Sequence, residues 1–283
     1  MSELKKNVEW NYVSPDGLYN MNQTITCGHI DGLHMQKHSR FYEVFTFLSD
    51  NAFFYVEGQK YTIKKGDVMI FNNKELHMVE FDETLPYKRR VIHFAKEFVL
   101  PFSSDKFNLF NVFDNRCLGI NNRIPAKIAE SANIHGYFDK MKDALSSGLD
   151  GNEIMARCYF VQMLIAINCV LSDNNNLSPK IPENDKILKI IEYINSNLSS
   201  DLNIDKLSQQ FYISKYYMSR LFKATTGYSI NQYISYKRIW LADDLISSGM
   251  SATEACHSVG YNDYSNFYKT FTKIMGFSPK LSK

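Results

Sequence analysis

Tyr216, Ser219, Arg220 and Lys223 recur at i, i+3, i+4 and i+7, the spacing that puts side chains on one face of a helix. They bring together an aromatic ring, a hydroxyl, a guanidinium and an ammonium. Such groups reach base edges, phosphates and the thymine methyl in a DNA major groove. Lys215 opens the same run and adds a cation. A second set of this kind follows as Ser265, Asn266, Lys269 and Lys273, with Tyr264 just ahead of it. The spacing of Tyr264 to Phe267 and Phe271 suits burial as well as display.

The elements that must carry these faces are written twice. Residues 203–211, 214–222 and 227–229 are echoed by 251–259, 262–271 and 276–278, at an offset of 48 residues before the turn and 49 after it. Each copy reads as a short helix, a tight turn and a second helix, the outline of a helix-turn-helix. Asn203 and Ser214 stand where helix caps are needed, and Ser251-x-x-Glu254 is a capping box. Ile204, Leu207 and Phe211 form an inward stripe in the first copy, followed by Tyr217, Met218, Leu221 and Phe222. The second copy offers Phe267, Phe271 and Ile274. Between the copies, residues 230–248 read as one long helix stopped by Gly249. At about 1.5 Å per residue it spans roughly 28 Å, near the roughly 34 Å between successive major-groove faces.

The run Ser214-Lys-Tyr-Tyr-Met-Ser-Arg-Leu-Phe-Lys223, with Thr226-Gly-Tyr-Ser229, Arg238, Leu241-Ala242, Val259-Gly-Tyr-Asn-Asp263, Phe267, Phe271 and Gly276-Phe-Ser-Pro279, resembles the AraC/XylS family of bacterial transcription regulators. The resemblance covers about residues 184–283. It implies that Tyr216, Ser219, Arg220, Tyr264, Ser265, Asn266 and Lys269 meet DNA. Two departures, Ala255-Cys256 for an isoleucine-alanine pair and Leu281-Ser282-Lys283 for an aromatic-arginine ending, avoid the DNA-facing positions.

Charge follows the same division. Residues 184–283 hold twelve Lys and Arg against eight Asp and Glu, although the whole chain carries only +2, so the basic excess lies where phosphate would be met. The five cysteines (Cys27, Cys117, Cys158, Cys169, Cys256) are scattered without a C-x-x-C pair. That pattern argues for a reducing compartment, with neither a disulfide framework nor a zinc site. The polar start of the chain lacks an apolar signal core, and the most apolar stretch, residues 159–171, is too short to span a bilayer. The expectation is a cytoplasmic protein with no membrane partner.

In the first hundred residues the period changes to alternation. Candidate strands are 23–30, 42–48, 52–56, 60–63, 67–71, 77–81 and 88–94, broken at 57–59, 65–66 and 72–73. Close spacing of short strands suggests a closed or sandwiched antiparallel sheet. His38-Ser-Arg-Phe-Tyr-Glu43 and Gly66-Asp-Val-Met-Ile-Phe-Asn-Asn-Lys-Glu-Leu-His77 are similar to the cupin-like sensor barrel common in the same family, over about residues 20–95.

His38, Glu43 and His77 leave three readings open. Imidazole and carboxylate would suit a divalent transition ion. A further histidine is wanting, however: Arg40 cannot ligate a cation, and His34 stands at helical rather than strand spacing from His38. The groups could instead satisfy one another inside a barrel. In the third reading, which we carry forward, they hydrogen-bond a small effector together with Arg40, Tyr42 and Arg90, while Trp10 on an N-terminal arm either anchors that arm or closes over the top. The resemblance implies a sugar or sugar derivative. No metal or cofactor is expected.

Residues 125–173 read as two or three helices. Ile154, Cys158, Val161, Leu164, Ile165, Asn168 and Leu171 form one broad stripe that must bury against its own barrel, a partner subunit or both. In the resembled family a helix in this place pairs two subunits, which implies a homodimer. Residues 174–183 then read as a polar linker ending in Ser-Pro.

The expected chain is thus α+β and multidomain. A cupin-like effector barrel with its arm occupies 1–120, helical dimerisation elements 121–173, a linker 174–183 and an all-α double helix-turn-helix domain 184–283. The expected function is sequence-specific binding of double-stranded DNA at promoter or operator half-sites under control of a small effector, with RNA polymerase as a further partner and no catalysis. Two rivals are a ligand-independent regulator whose barrel only dimerises, and a metal-dependent cupin enzyme fused to a DNA-binding domain.

Overall fold

The computed structural model describes residues 5–28, 41–50, 52–173 and 185–279. Two compact units divide the chain, the first made of Met1–Val56 and Lys60–Lys180 and the second of Glu57–Gln59 and Ile181–Lys283. The expected linker at 174–183 lies outside the described residues, as do Leu281 to Lys283.

Among the described residues the first unit has nine strands: β1 (Lys5–Val13), β2 (Tyr19–Cys27), β3 (Phe41–Phe47), β4 (Ala52–Val56), β5 (Gln59–Ile63), β6 (Val68–Phe71), β7 (His77–Phe81), β8 (Tyr87–Ala95) and β9 (Arg123–Ile124). They form a six-stranded sheet in the order β1-β2-β8-β3-β6-β9 and a three-stranded sheet in the order β5-β4-β7. Successive side chains on a strand point to opposite faces, so β3 feeds two cores. Phe45 and Phe47 meet Phe54 and Phe71 between the sheets, while Tyr42 and Val44 join Phe94 under the helices. This is the sandwiched form of the antiparallel architecture expected from the sequence.

Two differences concern the N-terminus and the helices. The expected arm is the nine-residue edge strand β1, registered antiparallel against β2 with an irregularity between Val8 and Trp10. Trp10 is half-buried against the helix-side core, and the Lys142 ammonium lies 5.9 Å from its ring centroid. It anchors β1 to the helices rather than closing over the barrel interior. The alternation of Val8, Trp10 and Tyr12 with Asn7, Glu9 and Asn11 was the available signal.

Short helices α1 (Lys96–Val99) and α2 (Asn111–Asp114) precede α3 (Ala126–Ser131), α4 (Ile134–Ser146) and α5 (Asn152–Asp173). At 22 residues α5 is long and apolar enough to cross a membrane by length and composition, which corrects the shorter stretch taken from the sequence. Its packing accounts for that apolarity. Ala156, Phe160, Met163, Leu164, Ile167 and Leu171 enter the helix-side core, and the Asn168 amide donates to the Leu109 and Leu164 carbonyls. The expected broad stripe is therefore divided: Leu164, Asn168 and Leu171 are buried, whereas Ile154, Cys158 and Ile165 face outward.

The second unit is helical: α6 (Asp185–Ser196), α7 (Ile204–Phe211), α8 (Lys215–Thr226), α9 (Ile230–Ser247), α10 (Ala252–Ser258) and α11 (Tyr264–Met275). Asn203 caps α7, and Ser229 with Gln232 makes a reciprocal capping box on α9. The anticipated box of Ser251 and Glu254 forms on α10. Gly249, at φ +102°, follows the end of α9 where the sequence places its stop. Ile239, Ala242 and Ile246 of α9 share a core with Ala255, Cys256, Val259, Phe267 and Phe271, so the unusual Ala255-Cys256 pair is accommodated as small buried side chains.

Candidate nucleic-acid interface and effector pocket

Helix α8 starts at Ser214, whose hydroxyl accepts from the Tyr217 backbone N–H at 3.4 Å. Met218 and Phe222 point into the core. Lys215, Tyr216, Arg220 and Lys223 are exposed and Ser219 is half-buried, so the predicted polar face stands as one surface. Lys215 also reaches Asp205 on α7; both partners are largely solvent-exposed, where such a pair contributes little.

Helix α11 starts at Asp263, whose carboxylate accepts from the Ser265 and Asn266 backbone N–H groups at 3.2 and 2.8 Å. Phe267 and Phe271 are buried, and Ser265, Asn266, Lys269 and Lys273 are exposed. Tyr264 goes the other way: it packs against the core, its ring 5.8 Å from that of Phe267. It is half-buried, as Ser219 is on α8, so only part of it is left to the outward face.

Two exposed aromatics were missed. Tyr217, assigned from the sequence to the inward stripe, is 45% exposed, and Tyr268 is 40% exposed. Aligning the copies on their caps would have found them. Tyr217 and Asn266 each stand third after a cap, and Ser219 and Tyr268 each stand fifth.

The five expected effector residues that are described, Trp10, Tyr42, Glu43, His77 and Arg90, do not form one pocket. Glu43 and His77 meet inside the first unit at 1% and 2% exposure, with Nε2 of His77 3.6 Å from Oε2 of Glu43. His93, absent from the expected set, joins them; its Nε2 is also 3.6 Å from Oε2 of Glu43, and its Nδ1 lies 2.9 Å from Oδ1 of Asn20. Register explains this, since Glu43 is opposite His93 in the β3–β8 pairing. The His77 ring stacks on Phe71 at 4.0 Å, and neither ring nitrogen has a hydrogen-bond partner among the described residues.

Tyr42 and Arg90 lie on the opposite, helix-side face. The Tyr42 hydroxyl donates to Asp114 at 2.9 Å, and burial pushes its pKa well above the usual tyrosine value, with the Asp114 hydrogen bond adding to it. Arg90 donates from Nε to Gln23 at 3.0 Å, pairs with Asp139 at 2.9 Å and covers the Phe138 ring. Both hold helices to the sheet, which corrects their assignment to the pocket. His38 and Arg40 lie outside the described residues. Among the described residues no group of three or more His, Cys, Asp or Glu is placed to hold a metal ion. Two clefts of the first unit open elsewhere: one of 310 Å³ beside Asp16, Phe102 and Arg157, and one of 380 Å³ between α4 and α5.

Comparison with known proteins gives a profile for each unit. An AraC-like ligand binding domain profile matches residues 31–156, and a helix-turn-helix domain profile matches residues 207–281. The regulatory protein PocR of Salmonella typhimurium is 30% identical over 35% of this chain and 33% of its own length, so the chain spans about a third of that relative. The HTH-type transcriptional activator RhaS of Escherichia fergusonii is 22% identical over 88% of this chain and 87% of that protein. Among solved structures, ToxT of Vibrio cholerae O395 is 13% identical, covering 93% of this chain and 95% of that one with a TM-score of 0.40.

Proposed function

The chain belongs to the AraC/XylS family of bacterial transcription regulators, with a ligand-binding region ahead of a helix-turn-helix region, and from that premise we propose that it regulates transcription by gripping specific DNA through both α8 and α11. The observation that carries this is the doubled outward face: two capped helices, each burying two large apolar side chains and presenting polar and cationic groups to solvent. It acts by binding rather than catalysis, in the cytoplasm where the DNA is, and RNA polymerase at the promoter is its next partner.

Control comes from a small effector, a sugar or sugar derivative, held by the first unit. Two copies of the chain pair through the outward stripe of α5, where Ile154 is 71% exposed beside Cys158 and Ile165. The effector biases the arrangement of the dimer by binding one state better than the other. A second reading is favoured by one observation: Phe45, Phe47, Phe54 and Phe71 pack together between the sheets. A barrel so filled would serve dimerisation alone, with no ligand.

Selection of the full chain against random duplex DNA tests the first reading, with a recurrent two-part motif as the expected result; recovery of unenriched sequence overturns it. Thermal unfolding with sugars and sugar phosphates separates the two barrel readings. A ligand at a hundred times its dissociation constant adds about 2.7 kcal/mol to stability, whereas the filled barrel gives no shift.

A further inference from the structure

Helix α9 serves both helix-turn-helix copies. Tyr233 in its first half meets Phe222 of α8 edge to face at 5.5 Å, and Ile239, Ala242 and Ile246 in its second half pack with α10 and α11. Arg238 sits at the midpoint and makes contacts on both sides. Its Nε donates to the Leu198 carbonyl at 2.9 Å and its Nη2 to the Ser200 carbonyl at 2.6 Å, in the segment that leads into α7. The same guanidinium lies 5.8 Å from the Tyr261 ring centroid, in the turn that leads into α11.

That turn presses directly against the segment that leads into α7. Gly260 has φ +85°, and a Cβ there would stand 2.8 Å from the Leu198 carbonyl oxygen, 2.9 Å from that of Ser199 and 2.9 Å from Nη2 of Arg238. No side chain fits between the two backbones, and the left-handed backbone itself favours glycine. A planar guanidinium with several fixed donors can hold two carbonyls and a ring face together; a lysine ammonium cannot span them in the same way.

We propose that Arg238 and Gly260 form a joint that sets the placement of α8 relative to α11, and with it the spacing between the two DNA segments that one chain reads together. This rests on the DNA-binding function proposed above. Arg238 is a positioning residue: it acts through the helices it holds, while bases are met by the exposed faces. One base pair of added spacing moves a half-site by about 3.4 Å along the duplex and about 34° around it, so a rigid joint rejects it and a loosened one follows.

The test is selection from random duplex DNA with the full chain, followed by binding titrations on the selected site, on the same site with one base pair inserted or removed, and on each half alone. For the unaltered protein the expected penalty for changed spacing is about tenfold. For Arg238→Gln both half-motifs persist and single half-site affinity stays within about twofold, while the spacing penalty falls to about twofold. Arg238→Lys follows Arg238→Gln, and Gly260→Ala loses or shifts the preferred spacing with Arg238 still in place. Gly260→Ala also decides the matter if the arginine variants fail to fold, as judged by thermal melting. A folded Arg238→Gln with an unchanged spacing penalty overturns the proposal, as does an equal loss on isolated half-sites. Selection of only one half-motif by the unaltered protein removes the joint's role but leaves DNA binding standing. No enriched motif at all removes the DNA-binding function itself.

Discussion

In the first helix-turn-helix copy α8 is capped by the neutral Ser214, and α7 by Asn203 alone; in the second, Asp263 caps α11 with a carboxylate and α10 carries the reciprocal Ser251–Glu254 box. The turns differ as well. The first passes through Tyr212, a fully displayed non-glycine residue at φ +53°, and the second through Gly260 pressed against backbone. What both keep is a capped second helix with two inward residues, Met218 and Phe222 or Phe267 and Phe271. The skeleton needs little more than that, so the outward chemistry is free to diverge. The first face carries one guanidinium and two exposed tyrosines beside Lys215 and Lys223, which suits base edges, whereas the second has one amide and one exposed tyrosine beside Lys269 and Lys273 and lies closer to phosphate contact.

The largest test of this equivalence is the inward pair. Phe222→Ala and Phe271→Ala should each cost about 3–5 kcal/mol in urea unfolding, because both leave a cavity in a fully packed core. A small loss at one of them would break the symmetry between the copies. Next in size, Arg220→Ala should weaken specific DNA binding by about 1–3 kcal/mol and relax preference within one half of the footprint. Lys269→Ala should weaken binding nearly uniformly across sequences and lower the salt slope by about 1 in anisotropy titrations. Identical behaviour of the two would mean that the faces are chemically equivalent after all.

Caps give smaller effects. Ser251→Ala and Asn203→Ala should each lower stability by about 1 kcal/mol, with Ser251→Ala the larger because its hydroxyl both accepts from the Glu254 backbone N–H and donates to the Glu254 carboxylate. The smallest effect is a pH dependence in the cap of α10. The Ser251 hydroxyl, and after it the Ser251 backbone N–H, hold the Glu254 carboxyl below its usual range. Its folded-state pKa is depressed, so its stabilising contribution is present at neutral pH and fades as pH falls through that depressed value. Melting curves of the unaltered protein and Glu254→Gln should therefore differ at neutral pH and converge in acid. Divergence on acidification would mean that the carboxyl is not held by the cap.

The second unit was largely legible because its determinants are local. A cap, a 3.6-residue period and a glycine stop lie within a few residues of one another, so the helices and most of both outward faces followed from spacing. Tyr217 and Tyr264 escaped because a residue at the edge of an apolar stripe belongs to whichever face the neighbouring helices leave open. The first unit was legible as strands but not as a site. Tyr42 and Glu43 are adjacent in sequence yet face different cores, one bonded to Asp114 under the helices and the other beside His77 and His93. His93 could not be found without the register of β3 against β8.

By itself, then, the sequence determined the antiparallel first unit, the doubled helix-turn-helix and the cationic faces of α8 and α11, because repeat, alternation and capping act over distances that the chain's own period controls. Only the tertiary structure decided that Trp10 anchors an edge strand, that α5 gives half of its apolar stripe to the barrel, and that Arg238 ties Leu198 and Ser200 to the turn at Gly260. Those contacts join residues far apart in the chain, and no local period records which distant carbonyl or ring a side chain will meet.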